Sequence, residues 1–115
     1  MMTEPKSHFR AHLRRPVRLD ATLRHPSAGW ERAAKVFDVG LGGACIGVAE
    51  ALTAGDRVSI AFMAPTLWDP LALPARVAWF RVGAGPEPAR AGLAFEYDSA
   101  AAARALFELV GTLSF

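Results

Sequence analysis

The sequence predicts a mainly β protein: a six-stranded antiparallel barrel with a C-terminal helix and a flexible basic arm at the N-terminus. Three observations predict it. Apolar and polar residues alternate in short runs, the period-two signature of half-buried strands. Clusters of Gly, Pro, Asp and Ser separate those runs at short intervals. Near the C-terminus the period changes to that of a helix. Closing the strands into a barrel removes most exposed edges, and the helix covers an opening or an edge.

Residues 1–16 have no hydrophobic periodicity and end at Pro16, so they read as an arm. Val17, Leu19, Ala21 and Leu23 then alternate with Arg18, Asp20, Thr22 and Arg24, giving the first strand. His25 to Gly29 is a turn by composition. Trp30 to Val39 is the second strand, Gly40 to Gly43 a sharp reversal, and Ala44 to Val48 the third strand. A turn at Thr53 to Asp56 precedes the alternation of Val58, Ile60 and Phe62. Met63 to Pro70 reads as a loop containing Trp68. Leu71 to Val82 is a long strand, in which Pro74 predicts an edge or a bulge. Gly83 to Pro88 is a turn, and Ala91 to Tyr97 the last strand. Asp98 or Ser99 can cap a helix beginning at Ala100, with Leu106, Phe107, Leu109, Val110 and Leu113 on one face. The arm, the barrel (17–98) and the helix (99–115) together make one domain.

Composition narrows the class. At 115 residues and 52% hydrophobic, the chain fits one folded domain and excludes a disordered one. No run approaches the ~18 apolar residues of a membrane-spanning helix, so membrane insertion is not expected. The polar, basic start lacks the apolar core of a secretory signal. A single cysteine, Cys45, builds no disulfide framework; in a strand it is expected to be buried and inert. A cytoplasmic location follows as an expectation.

Charge is unevenly distributed. Residues 1–35 carry eight basic against three acidic side chains, whereas residues 36–115 carry five arginines against eight acids. Arginine's forked donors suit phosphate oxygens and guanine edges. An excess of +5 over 35 residues is modest for nucleic acid, which is not the expected partner. His8, His12 and His25 have no Cys or carboxylate cluster beside them, so no metal is expected. No paired acids or Ser-His-Asp set emerges, so the chain does not read as an enzyme.

Two features carry the functional reading. Arg10 and Arg14 are four residues apart in the arm, with Arg15 adjacent. Downstream lies Asp38-Val39-Gly40-Leu41-Gly42-Gly43. The third glycine of a dinucleotide fingerprint is missing there, because Cys45 occupies its place, and no Lys-Ser/Thr pair makes a phosphate loop. What remains is a tight turn whose glycines can supply positive φ. Trp79 and Arg81, two apart on one strand face, can stack on and pair with a base; Trp79 equally suits the core.

Arg10-x-x-x-Arg14 followed by the Asp38 turn resembles the PilZ domain, a bacterial receptor module for cyclic di-GMP. That family carries Arg-x-x-x-Arg before its first strand and Asp/Asn-x-Ser-x-x-Gly between its second and third. Ala91-Gly92-Leu93-Ala94-Phe95 looks like the family's Gly-Val-x-Phe strand, and the resemblance runs from about Phe9 to Val110. It implies a cyclic di-GMP site at Arg10, Arg14, Arg15, Asp38, Gly40, Gly42, Gly43, Trp79 and Arg81. It also implies that ligand binding orders the arm and that the signal passes to a separate effector protein, from a monomer or weak dimer. Phe9 before the motif implies a one-to-one complex. Gly40 stands where the family motif has Ser. A lost neutral hydrogen bond costs about 0.5–1.5 kcal/mol, up to roughly tenfold in affinity. An adaptor that has lost cyclic di-GMP and works by protein contacts is the alternative.

Overall fold

Strands with one apolar face need a common interior, and here they obtain it by closing on themselves. The computed structural model describes residues 15–64 and 69–112. Its strands are β1 (Arg15–His25), β2 (Trp30–Val39), β3 (Gly43–Val48), β4 (Arg57–Met63), β5 (Leu71–Arg81) and β6 (Ala89–Phe95). Helix α1 (Ala100–Thr112) follows. The order around the closed barrel is β1-β2-β3-β6-β5-β4, with β4 returning to β1 and every pair antiparallel.

The alternation read from the sequence sets which residues point inward. Leu23, Val36, Ile46, Ile60, Phe62, Leu73 and Val77 are all at most 1% exposed and form one continuous core. Strand boundaries shift slightly from expectation. β1 begins at Arg15, opposite Val39, rather than at Val17. β6 ends at Phe95, two residues before Tyr97.

Pro74 sits at neither an edge nor a bulge. It pairs with Ser59 of β4, and its carbonyl accepts from the Glu96 N–H (2.8 Å) just beyond the end of β6. The register shift in β5 lies further on, between Val77 and Trp79. Because N–H and C=O of a strand residue point to the same side, the donor that proline lacks faces the point where β6 ends.

Ser99 is the N-cap of α1: its Oγ accepts from the Ala102 N–H (3.1 Å). Leu106, Leu109 and Val110 enter the barrel core. Phe107 does not share their face and is 64% exposed. At 100° per residue it is turned away from Leu106, and the apolar run around it concealed which residues face inward. Leu113 and Trp68 lie outside the described residues. No described helix is long and apolar enough to cross a membrane.

A polar tie secures the end of the barrel where β1 turns into β2. Buried His25 accepts from the Ala28 N–H at Nδ1 (3.4 Å), so Nε2 carries the proton and donates to Asp56 Oδ2 (3.0 Å). Asp56 also accepts from the Thr53 N–H (3.0 Å). That backbone bond, then the His25 contact, holds the Asp56 carboxyl below its ordinary value of 3.8, against a smaller opposing effect of burial. His25 is therefore engaged in joining the β1–β2 turn to the loop before β4.

Candidate functional site

Strand pairing brings residues far apart in sequence into lateral rows on the outside of the barrel. Asp38 pairs with Cys45, Cys45 with Gly92, and Gly92 with Trp79, making one row across β2, β3, β6 and β5. A second row runs Lys35, Gly47, Arg90, Arg81. Paired residues share a face, and the intervening Ala44, Ile46, Ala91 and Leu93 point into the core. Both rows therefore face outward.

The small residues in these rows let larger ones lie flat on the sheet. A Cβ at Gly92 would meet Trp79 Nε1 at 2.2 Å, so the indole covers that glycine. Trp79 is 41% exposed and on the outer face, which corrects the alternative that places it in the core. The Arg81 guanidinium stands 5.4 Å from the Trp79 ring centroid, as their two-residue spacing predicted. A parallel arrangement escaped the sequence reading. Phe37 covers Gly47, where a Cβ would come within 2.8 Å of the ring, and Arg90 lies 4.1 Å from the Phe37 centroid. The available signal was a glycine inside each strand run, which marks close approach of another group. Cys45 is buried in the first of these rows.

The glycine turn joins this face at the end of β2. Gly40 donates to the Gly43 carbonyl (2.9 Å), and Phe95 donates to the Gly42 carbonyl (3.0 Å). The Tyr97 hydroxyl donates to the Leu41 carbonyl. Burial raises the Tyr97 pKa above its ordinary 10.0, which keeps that donor protonated. The glycines are not there for positive φ: among the described residues Gly29, Gly55 and Gly85 adopt it, and Gly40, Gly42 and Gly43 do not. Gly43 is required by proximity, since a Cβ would stand 2.0 Å from the Leu93 carbonyl oxygen.

Of the residues expected at a ligand site, Asp38, Trp79 and Arg81 share the outer face, and Gly40, Gly42 and Gly43 form the turn at its border. The Arg15 backbone pairs with Val39, so β1 begins beside this turn. Arg10 and Arg14, with His8 and His12, lie outside the described residues. Three further basic residues of the first 35 are engaged with acids. Arg24 pairs with Glu31 (3.6 Å), Arg32 with Glu50 (2.9 Å) and Lys35 with Asp20 (2.8 Å).

A family model for the PilZ domain matches residues 7–111. Solved structures of similar fold include the PilZ domain of Escherichia coli YcgR with c-di-GMP. It is 18% identical with a TM-score of 0.69, and the match covers 87% of each chain. The PilZ domain of CeSA from a cellulose-synthesizing bacterium is 20% identical with a TM-score of 0.67, covering 87% of this chain and 96% of that one. The Bacillus subtilis inhibitor of motility is 15% identical with a TM-score of 0.69, covering 87% of this chain. The present chain spans 48% of that protein's length. No curated protein sequence matches.

Proposed function

This chain belongs to the PilZ domain family, and on that premise we propose that it is a receptor for cyclic di-GMP that signals to a separate effector protein. One observation carries the reading: the pairing of β2, β3, β6 and β5 sets Asp38 and Trp79 in one outward row beside the glycine turn. Arg10 and Arg14 contact phosphates and guanine edges, with Arg15 assisting. Asp38 accepts from guanine N–H groups or from the arm arginines, and Trp79 offers a ring for stacking beside Arg81. The turn at Gly40, Gly42 and Gly43 lets the backbone approach the nucleotide. Ligand binding orders the arm that precedes β1 over this face, which creates the surface that the effector reads. The receptor acts in the cytoplasm and performs no catalysis.

The second reading is an adaptor without nucleotide. Gly40 favours it, because no hydroxyl stands at that position and its N–H is already engaged by the Gly43 carbonyl.

Calorimetric titration with cyclic di-GMP separates the two. The receptor reading expects binding, a raised melting temperature at about 100 μM ligand, and losses of at least roughly tenfold in Arg10→Ala and Arg14→Ala. Absence of both heat and thermal shift refutes it in favour of the adaptor. Binding that is indifferent to both arginine substitutions moves the site elsewhere.

A further inference from the structure

Four arginines on the barrel surface, Arg18, Arg57, Arg81 and Arg90, have no carboxylate partner among the described residues, and three of them, Arg18, Arg81 and Arg90, lie on β1, β5 and β6. Their placement is unfavourable for the fold alone. Arg81 and Arg90 are direct cross-strand partners, and like charges opposite one another on a sheet are destabilising. Arg90 also lies over Phe37, which fixes the plane of its guanidinium while leaving edge N–H groups available.

Arg18 and Arg90 border a defined space. A groove of about 790 Å³ runs between the start of β1 and this part of β2 and β6, lined by Arg18, Asp20, Lys35, Phe37 and Arg90 among others. Lys35 and Asp20 neutralise each other there at 2.8 Å. Arg18 and Arg90 remain in the groove's lining with no carboxylate partner among the described residues, and Arg90 is pre-positioned on an aromatic ring. Forked guanidiniums suit the acceptor oxygens of a phosphate.

We propose that the groove bounded by Arg18, Phe37 and Arg90 is a phosphate-binding subsite that takes a phosphate group of a nucleotide, with Arg90 held in place by Phe37. The subsite stands on its own chemistry; it rests on the receptor reading only for the identity of the nucleotide. Neither Phe37 nor Arg90 belongs to the Arg10/Arg14 motif or the glycine turn. They extend the face from the row of Asp38 and Trp79 to its neighbour.

The test compares wild type, Arg18→Gln, Arg90→Gln and Arg104→Gln, the last an exposed helix arginine that controls for net charge. Each is titrated with cyclic di-GMP, and its thermal unfolding is followed with inorganic pyrophosphate at matched ionic strength. The expected result is a pyrophosphate-dependent rise in melting temperature for wild type and Arg104→Gln that is lost in Arg18→Gln and Arg90→Gln. Cyclic di-GMP affinity falls about tenfold or more in the same two variants. Arg18→Gln, at an exposed position, keeps the test valid should Arg90→Gln fold poorly. Pyrophosphate stabilisation that depends on Arg18 and Arg90 without any cyclic di-GMP binding upholds the subsite and refutes the receptor reading. Cyclic di-GMP binding that is equal in Arg18→Gln, Arg90→Gln and Arg104→Gln overturns the subsite and leaves that reading intact. No response of wild type to either ligand overturns both.

Discussion

Trp79 lies flat on the sheet because residue 92 has no side chain, and that dependence can be measured. A methyl group at Gly92 would meet Nε1 at 2.2 Å, Cε2 at 2.5 Å and Cδ1 at 2.8 Å, all well inside contact distance. The β6 backbone cannot retreat, since Gly92 pairs with Cys45 on one side and Trp79 on the other. The indole, 41% exposed, must therefore swing towards solvent. An aromatic side chain buries about 150–250 Å² when fully covered. Losing about half of that at about 25 cal/mol per Å² gives about 2–3 kcal/mol as an upper bound. Gly92→Ala should accordingly cost about 1–3 kcal/mol in urea unfolding. The background decides the sign. In Trp79→Ala the obstruction is gone, and replacing a mid-strand glycine by alanine should instead stabilise by about 0.5–1 kcal/mol. A double-mutant cycle on Gly92→Ala and Trp79→Ala then yields a coupling of about 1.5 kcal/mol or more. Equal effects of Gly92→Ala in both backgrounds would refute the covering of Gly92 by Trp79. Under the receptor reading, Gly92→Ala also weakens cyclic di-GMP as Trp79→Ala does, although the indole itself is retained.

Other outcomes follow from the remaining contacts. Asp56 has a lowered pKa in the folded state, so its contribution is present above its ordinary value of 3.8 and is lost as pH falls through the lower folded value. Asp56→Asn should cost roughly 1.5 kcal/mol at neutral pH, discounted for partial exposure, and flatten the acid limb of a stability-versus-pH curve below about pH 4. Gly43→Ala places a methyl against the Leu93 carbonyl and should destabilise by about 3 kcal/mol in urea unfolding. Tyr97→Phe removes the donor to the Leu41 carbonyl; a loss of about 0.5–1.5 kcal/mol and faster hydrogen exchange at Gly40 are expected. Gly40→Ser restores the family's hydroxyl and should tighten cyclic di-GMP binding by up to roughly tenfold in calorimetry, under the receptor reading.

What the sequence makes legible here is whatever depends on neighbours in the chain. The turn at Gly40 to Gly43 and the shared face of Trp79 and Arg81 follow from local chemistry and a period of two. Phe37 and Arg90 are different. Their contact requires the register across β2, β3 and β6, and the register of β2 shifts between Val36 and Asp38. A shift of one residue reverses which face each side chain takes, so no reading of β2 alone reveals that Phe37 lies over Gly47. Phe107 shows the same limit on a helix. Leu106, Phe107, Leu109 and Val110 are all apolar, and only the position of the barrel decides that Phe107 faces away from the core.

The charge asymmetry acquires a different meaning once the strands are paired. Arg24, Arg32 and Lys35 are three of the eight basic residues before residue 36, and each is paired with an acid on the barrel surface. Exposed pairs of this kind contribute about 0–1 kcal/mol and leave little net field. Arg76 is likewise paired with Glu96 at 2.9 Å. Among the described residues Arg18, Arg57, Arg81 and Arg90 lack such acids, and Arg81 and Arg90 face each other across two strands. The pairing of Arg81 with Arg90 and the presence of Arg18 and Arg90 in one groove set positive charge beside one another there, which total charge along the sequence does not reveal. The glycine turn borders that region and is held by backbone bonds at Gly40 and Gly42 and by the Tyr97 hydroxyl at Leu41. A turn already held by its neighbours needs little ordering when a ligand arrives. Gly40 thus removes one possible contact with the nucleotide without loosening the backbone that presents the others, which is why its effect on affinity is expected to be graded rather than complete.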